Sequence, residues 1–317
     1  MRLSNKTFGQ RTPFFTEKQE PKSKYILVYE GEETEVQYFD GILENKDEIG
    51  ISKLIEIKPI LRSYREKSYS HPLRILEFLG EYLIHNLTDG ISVKSFINCM
   101  IDYLICELEI SDNSIYSPKI IETDIQNYFS INLGLQPDSI IINVSSAINE
   151  IANHLKQKIN LYENIDRIQA YIENQQIVFN QEIDKVCIIV DRDYRNFKEN
   201  QYDYVVKKCQ ELNYKLYISN PCFEFWLLLH SSDVNTIDTE KLLKNKKVTS
   251  KKRFTEIELS RIFSGYKKND IKFDRFKPNI QLAISQGKDF CEDVVGLKTR
   301  LGTNIGLLLE EMISFSV

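Results

Sequence analysis

Several residue patterns that give an enzyme away are missing from this 317-residue chain. Its six cysteines, Cys99, Cys106, Cys187, Cys209, Cys222 and Cys291, form no CxxC pair, and several lie inside apolar runs. They read as reduced core residues, which argues against a zinc site or a disulfide framework. The four histidines, His71, His85, His154 and His230, form no HExxH. No GxGxxG, GxxxxGKS/T or GxSxG sequence occurs, so nucleotide-loop and serine-hydrolase readings have no support. The longest uninterrupted apolar run near any helix, Phe225 to Leu229, falls far short of the roughly 20 residues that span a bilayer. Residues 1–24 carry six basic and two acidic side chains but no apolar stretch of the kind a signal peptide needs. A cytoplasmic protein with no membrane segment is expected.

What is present is an ordinary globular composition with an uneven charge. Hydrophobic residues make up 42% and charged residues 27%, enough for a full core in one large or two modest domains. The net charge is −5, yet residues 80–180 hold thirteen acids against five bases. The remainder is therefore slightly basic. Lys241 to Arg253 carries seven positive charges and no acid, which suits either a solvated loop or contact with nucleic-acid phosphates.

The pattern along the chain is that of an α/β protein. Tyr25 to Tyr29 reads as a strand, Gly31 as a turn, and Thr34 to Gln37 fits a capping box ahead of a helix. A second strand is expected over Leu54 to Ile60, then a polar loop with Arg62, Arg65 and Lys67, then a helix opened by Pro72. Residues 80–180 read as mostly helical, notably Phe96 to Leu108 and Ser145 to Ile172. A hundred such residues between two strands exceed an ordinary crossover and predict an inserted subdomain. Strands resume at Lys185 to Val190 and Tyr214 to Ser219, and Asn220-Pro221 should start the short apolar helix from Cys222 to His230. The expected organisation is a basic arm over 1–24, a discontinuous catalytic domain over 25–79 and 181–317, and an acidic helical insertion over 80–180.

Carboxylates follow the two most apolar strands. Glu30 comes directly after Ile26-Leu27-Val28-Tyr29, and Asp191 and Asp193 after Val186 to Val190. Ligands of parallel sheets sit beyond the carboxyl ends of the strands, so these acids are expected to meet. In an extended segment Asp191 and Asp193 would point the same way and share a cation. Glu224, inside the run Phe223 to Leu229, requires compensation by a salt bridge, a helix terminus or a site. Glu35 sits in a first helical turn, where acids are common on dipole grounds alone. Together these oxygens favour Mg²⁺ or Mn²⁺.

The segments Tyr25 to Phe39, Val190 to Asp193 and Ser219 to His230 resemble three signatures of the RloB family, whose members carry a Toprim-like domain. Weaker likeness extends to Ser70 to Leu76 and Leu301 to Glu310, while residues 80–180 lie outside it. The resemblance implies a Toprim-like, mainly parallel sheet flanked by helices, with Glu30 as the family glutamate and Asp191 and Asp193 as its DxD pair. It also implies that Glu35 and Glu224 match acids of the RloB and OLD-like branch. Family members are associated with anti-phage and restriction loci, and a related effector of the PARIS system cleaves transfer RNA when an ATPase partner releases it.

The expected activity is therefore metal-dependent phosphodiester cleavage, as the toxic effector of a bacterial abortive-infection system, with RNA such as tRNA favoured. Glu30, Asp191, Asp193 and Glu224 are the expected catalytic residues, and the same four with Glu35 the expected metal ligands. Lys246, Lys247, Lys251, Lys252, Arg253, Lys267 and Lys268 are expected to contact nucleic acid, although Lys267 and Lys268 better suit an ordinary surface pair. An ATPase or other sensor is an expected partner, as is a second copy bound through 80–180. The alternatives are a DNA nuclease and a non-catalytic regulatory subunit that binds a metal–nucleotide.

Overall fold

The computed structural model describes residues 23–31, 33–60, 71–84, 90–175, 177–250 and 252–315. Most of the basic arm, the loop with Arg62, Arg65 and Lys67, and Lys251 lie outside the described residues. Five strands form the main sheet: β1 (Ser23–Tyr29), β2 (Ile55–Ile60), β3 (Lys185–Asp191), β4 (Lys215–Asn220) and β5 (Gly302–Thr303). Their order is β2-β1-β3-β4-β5, parallel throughout except for the last pair. The expected α/β class, a mainly parallel sheet flanked by helices, is what the structure has.

The strands are apolar on both faces because helices cover both. Tyr25, Leu27, Tyr29, Cys187, Ile189 and Tyr217 enter one core, with Tyr38, Phe39 and the Phe223–Leu228 helix. The alternating residues Ile26, Val28, Val186, Ile188, Val190 and Ile218 enter the other, with Ile75, Leu79, Tyr202 and Val205. Each such side chain contributes about 1.5–3 kcal/mol on burial, which fixes the register. The connection leaves β1 toward β2 on one side, and β3 returns to its other side. The carboxyl ends of β1 and β3 thus flank a switch in strand order, the usual ligand crevice of such sheets.

A third core draws all its buried members from between Ile91 and Ile172, including Phe96, Phe129, Ile148 and Ile151. Its helices are Val93–Cys106, Pro118–Asn127, Val144–Leu155 and Ile165–Gln175. The stretch from Ser145 to Ile172, expected to be mostly helical, holds two of these helices. The chain turns between Leu155 and Tyr162, where Asn160 Oδ1 accepts from Tyr162 N at 3.2 Å, so the side chain competes with the helical ladder. No helix among the described residues is long and apolar enough to cross a membrane.

Two helix starts also differ from the sequence expectation. Thr34 is not a cap: it is the first helical residue, buried, with Glu33 in the cap position and no side-chain cap bond. Pro221 stands before its helix, in a cis peptide bond with Asn220, and Cys222 is the residue at the cap position. Pro72 does occupy the first turn of Pro72–Tyr82, capped by His71.

Candidate active site

The sheet brings the expected acids to one place. Glu30 N continues the ladder to Ile189 O at 2.9 Å, and Glu30 Oε2 accepts from Asp191 N at 2.9 Å, so one side chain ties the ends of β1 and β3 together. Glu35 is buried in the first turn of Thr34–Glu44, and its carboxylate folds back over Gly31. A Cβ at position 31 would lie 2.0 Å from Glu35 Oε2, so only glycine lets the acid reach this point. Asp191 Oδ1 accepts from Phe223 N at 2.8 Å, at the start of the helix that carries Glu224.

Asp191 can be reached from the cleft but is crowded by protein on every side. Burial, and then the charges of Glu35, Glu224 and Glu30, raise its carboxyl well above the usual carboxylate range. Lys268 opposes them. Its Nζ stands 3.0 Å from Glu224 Oε1, an ion pair without an aligned hydrogen bond, and 3.7 Å from Glu256 Oε1. The half-exposed ammonium is in turn held charged, above the ordinary lysine range, chiefly by Glu224. The loop that carries it is pinned by Gln37, whose Nε2 donates to Lys268 O at 3.2 Å and whose Oε1 accepts from Ile271 N at 3.1 Å.

Asp193 departs from the extended geometry expected for a shared cation. It caps a turn, with Oδ1 accepting from Arg195 N and Oδ2 from Asn196 Nδ2, each at 3.0 Å. It still lines the cleft, but not as a twin of Asp191. The donors present suit a hard cation in kind, being carboxylates that repel one another in a poorly solvated place. Among the described residues, however, no three His, Cys, Asp or Glu side chains stand in a ligating array, and the compensating charge is Lys268.

The cleft over these acids has a volume of about 190 Å³. Asp191, Asp193, Glu224 and Glu256 line it together with the cationic Arg195, Lys244, Arg253 and Lys268. Of the expected phosphate contacts, Arg253 and Lys268 therefore reach the site. Lys246, Lys247 and Lys252 lie on the adjoining turn, where Lys247 bridges to Arg253 and Lys252 Nζ donates to Ser260 Oγ at 2.8 Å. Lys267 pairs with Asp270 along the backbone, away from the cleft wall. Tyr194, Arg195 and Glu256 were not singled out by sequence reasoning, and Lys244 only as one charge of the basic run Lys241 to Arg253. Tyr194 and Arg195 were within reach, since they follow the DxD, while Glu256 carries no local signal.

His230 ends the third signature as a core residue. It contacts Tyr38 Oη at 3.0 Å and Trp226 O at 3.1 Å, and burial pushes its pKa down to about 3. It is neutral at working pH and takes no part in the cleft.

A family model described as RloB-like protein matches residues 121–312, more than half of the chain. The chain belongs to the RloB-like family. The match includes both Asp191 and Glu224, and it runs through residues 121–180, which the signatures had placed outside the resemblance. Tyr25 to Phe39 precedes it, so Glu30 and Glu35 are joined to the RloB-like region by the fold: by the pairing of β1 with β3 and by contacts of Gln37 and Tyr38 with Lys268 and His230. No curated protein and no solved structure matches the chain.

Proposed function

We propose that this RloB-like protein is a metal-dependent nuclease of the cytoplasm, the toxic effector of a bacterial anti-phage system, with RNA such as tRNA as its substrate. The observation that carries the reading is the meeting of Glu30, Glu35, Asp191 and Glu224 at the switch in strand order, beneath a wall of cationic side chains. The Toprim-like resemblance of the signatures that carry these acids supports it. Glu30, Glu35, Asp191 and Glu224 would hold Mg²⁺ or Mn²⁺, with Asp193 at the margin. A divalent ion there supplies water activation and stabilisation of the leaving oxygen, for which no histidine is needed.

The remaining work falls to the chain. Phe223 N and Glu30 orient Asp191. Lys268 neutralises Glu224 while the site is without substrate, and its position beside Arg253 and Lys244 lets it turn to a phosphate oxygen. Release of the acids by Lys268 and arrival of the phosphate are then one exchange of partners. A sensor such as an ATPase, or a second copy bound through 80–180, would govern when the cleft is open to substrate.

Carboxylates facing cationic side chains in one cleft also suit a metal–nucleotide, which gives as second reading a regulatory subunit that binds one. The test is incubation of the purified chain with structured RNA, single-stranded RNA and DNA in Mg²⁺ or Mn²⁺. Cleavage should fall at least about a hundredfold in Glu30→Gln and in Asp191→Asn. Undiminished cleavage in both sinks the assignment. Thermal stabilisation by a nucleotide with no polymer cut gives the regulatory reading instead, and cutting confined to DNA replaces the substrate.

A further inference from the structure

The residue after the DxD is a tyrosine that a surface position does not explain. Tyr194 is 41% exposed and lines the cleft beside Asp191 and Asp193. Exposed tyrosines ordinarily rotate freely, but this one is held at both ends. Beneath its ring lies the guanidinium of Arg192, 4.2 Å from the ring centroid and wholly buried. Arg192 is itself fixed, since Nε donates to Lys298 O at 3.0 Å and Nη1 to Phe197 O, and the ring of Tyr202 stands 5.1 Å away. At the far end Tyr194 Oη lies 2.9 Å from Asn220 Nδ2. That amide shares its hydrogens with Leu297 O at 2.8 Å and Arg300 O at 2.9 Å, at the end of β4.

Burying a guanidinium is costly, and here backbone carbonyls and aromatic rings take the place of a carboxylate partner. The outcome is an aromatic ring backed by a cation on one face and immobilised before anything binds. Its exposed side belongs to the same cleft as Arg195, Lys244, Arg253 and Lys268. A ligand that fits both features is an anion with a flat aromatic group attached. A nucleotide is such a ligand, provided its base is not already stacked on both faces as in a duplex.

We propose that Tyr194 is a stacking platform for one unstacked nucleobase, whose adjoining phosphate lies against the cationic wall of the cleft. The subsite rests on the nuclease reading and narrows its substrate to single strands, loops or flipped-out nucleotides. It makes Tyr194 a specificity-determining residue, distinct from the acids.

The test is equilibrium binding to the full chain in EDTA, so that cleavage does not compete. The probes are a short single-stranded oligonucleotide, the same backbone made abasic, and the corresponding duplex. Wild type should prefer the single strand with bases. Tyr194→Ala should weaken that binding about five- to hundredfold, the effect of one stacked base, and leave the abasic backbone unchanged. Tyr194→Phe, which keeps the ring and loses the Asn220 contact, should retain base-dependent binding, and Tyr194→Trp should strengthen it. Equal losses on both single strands, or a Tyr194→Phe defect as large as that of Tyr194→Ala, would mean a scaffold role and overturn the proposal while leaving the nuclease reading intact. Wild type that binds none of the three, and cuts none in Mg²⁺, overturns both.

Discussion

The five-stranded sheet and the segment from Ile91 to Ile172 are built from different kinds of contact. The sheet joins residues distant in sequence, and at the ends of its strands it tolerates a group of acids that destabilise one another. The segment closes an apolar core from within about eighty consecutive residues and puts its irregularity outside. Ile115, Ile131 and Ile142 are each more than three-quarters exposed there, on the acidic part of the chain. Scattered exposed isoleucines are ordinary singly, but four more exposed apolar residues accompany them between Ile120 and Tyr162. Charged side chains converge in one region, and exposed apolar ones gather in the other.

The comparison can be broken most strongly through the segment's core. Phe96 is fully buried and meets Phe129 edge-on at 5.6 Å, so Phe96→Ala should cost about 3–5 kcal/mol of local stability. Hydrogen exchange should show the loss over 91–172 and spare the amides of β1 and β3. Equal loss of protection in the sheet would mean that the two cores unfold as one.

Acid provides a second separation. His230 lies in the sheet's core with its pKa depressed to about 3, whereas His154 in the segment is exposed beside Asp124. A histidine kept neutral by burial stabilises fully above its unfolded pKa of about 6.5. That contribution is lost as the pH falls from there through about 3. Between pH 7 and pH 5 the loss should be about 2 kcal/mol, read by urea unfolding. His230→Gln should flatten the profile, and an unchanged slope would show that His230 protonates without disturbing the core.

The smallest effect concerns the basic turn. Replacing Lys246, Lys247, Lys251 and Lys252 by Gln should lower the salt dependence of oligonucleotide binding by roughly 1 in slope for each phosphate contact removed. The same change at Lys119 and Lys156, in the segment, should leave the slope alone. A segment pair that matters as much as the turn would erase the division between substrate surface and partner surface.

Much of the sheet was legible because its strands are short apolar runs, and a carboxylate after such a run stands out. The neighbouring positions of β1 and β3 turn that local signal into a contact between Glu30 and Asp191. What was not legible depends on side chains acting at a distance. Asp193 was expected to mirror Asp191, but it has Arg195 N and Asn196 within reach and caps a turn instead. The role of Lys268 as counter-ion to Glu224 requires the 266–271 loop to lie on the Thr34–Glu44 helix, which only Gln37 and Thr34 reveal. Lys244 and Glu256 reach the cleft through the packing of two helices, and no spacing in the sequence announces it.

The late position of β5 has a consequence for synthesis. The core of residues 91–172 is complete once Ile172 has been translated, whereas the sheet is edged by Gly302 and Thr303, and Asn304 Oδ1 accepts from Ile218 N of β4. At ordinary ribosomal rates the interval between the two is on the order of ten seconds. During it the nascent chain already displays the acidic segment to any partner while the edge of β4 is still bare. A partner that recognises that segment could engage the chain before the acid-lined cleft has closed, so the order of residues along the chain sets the order in which surface and site become available.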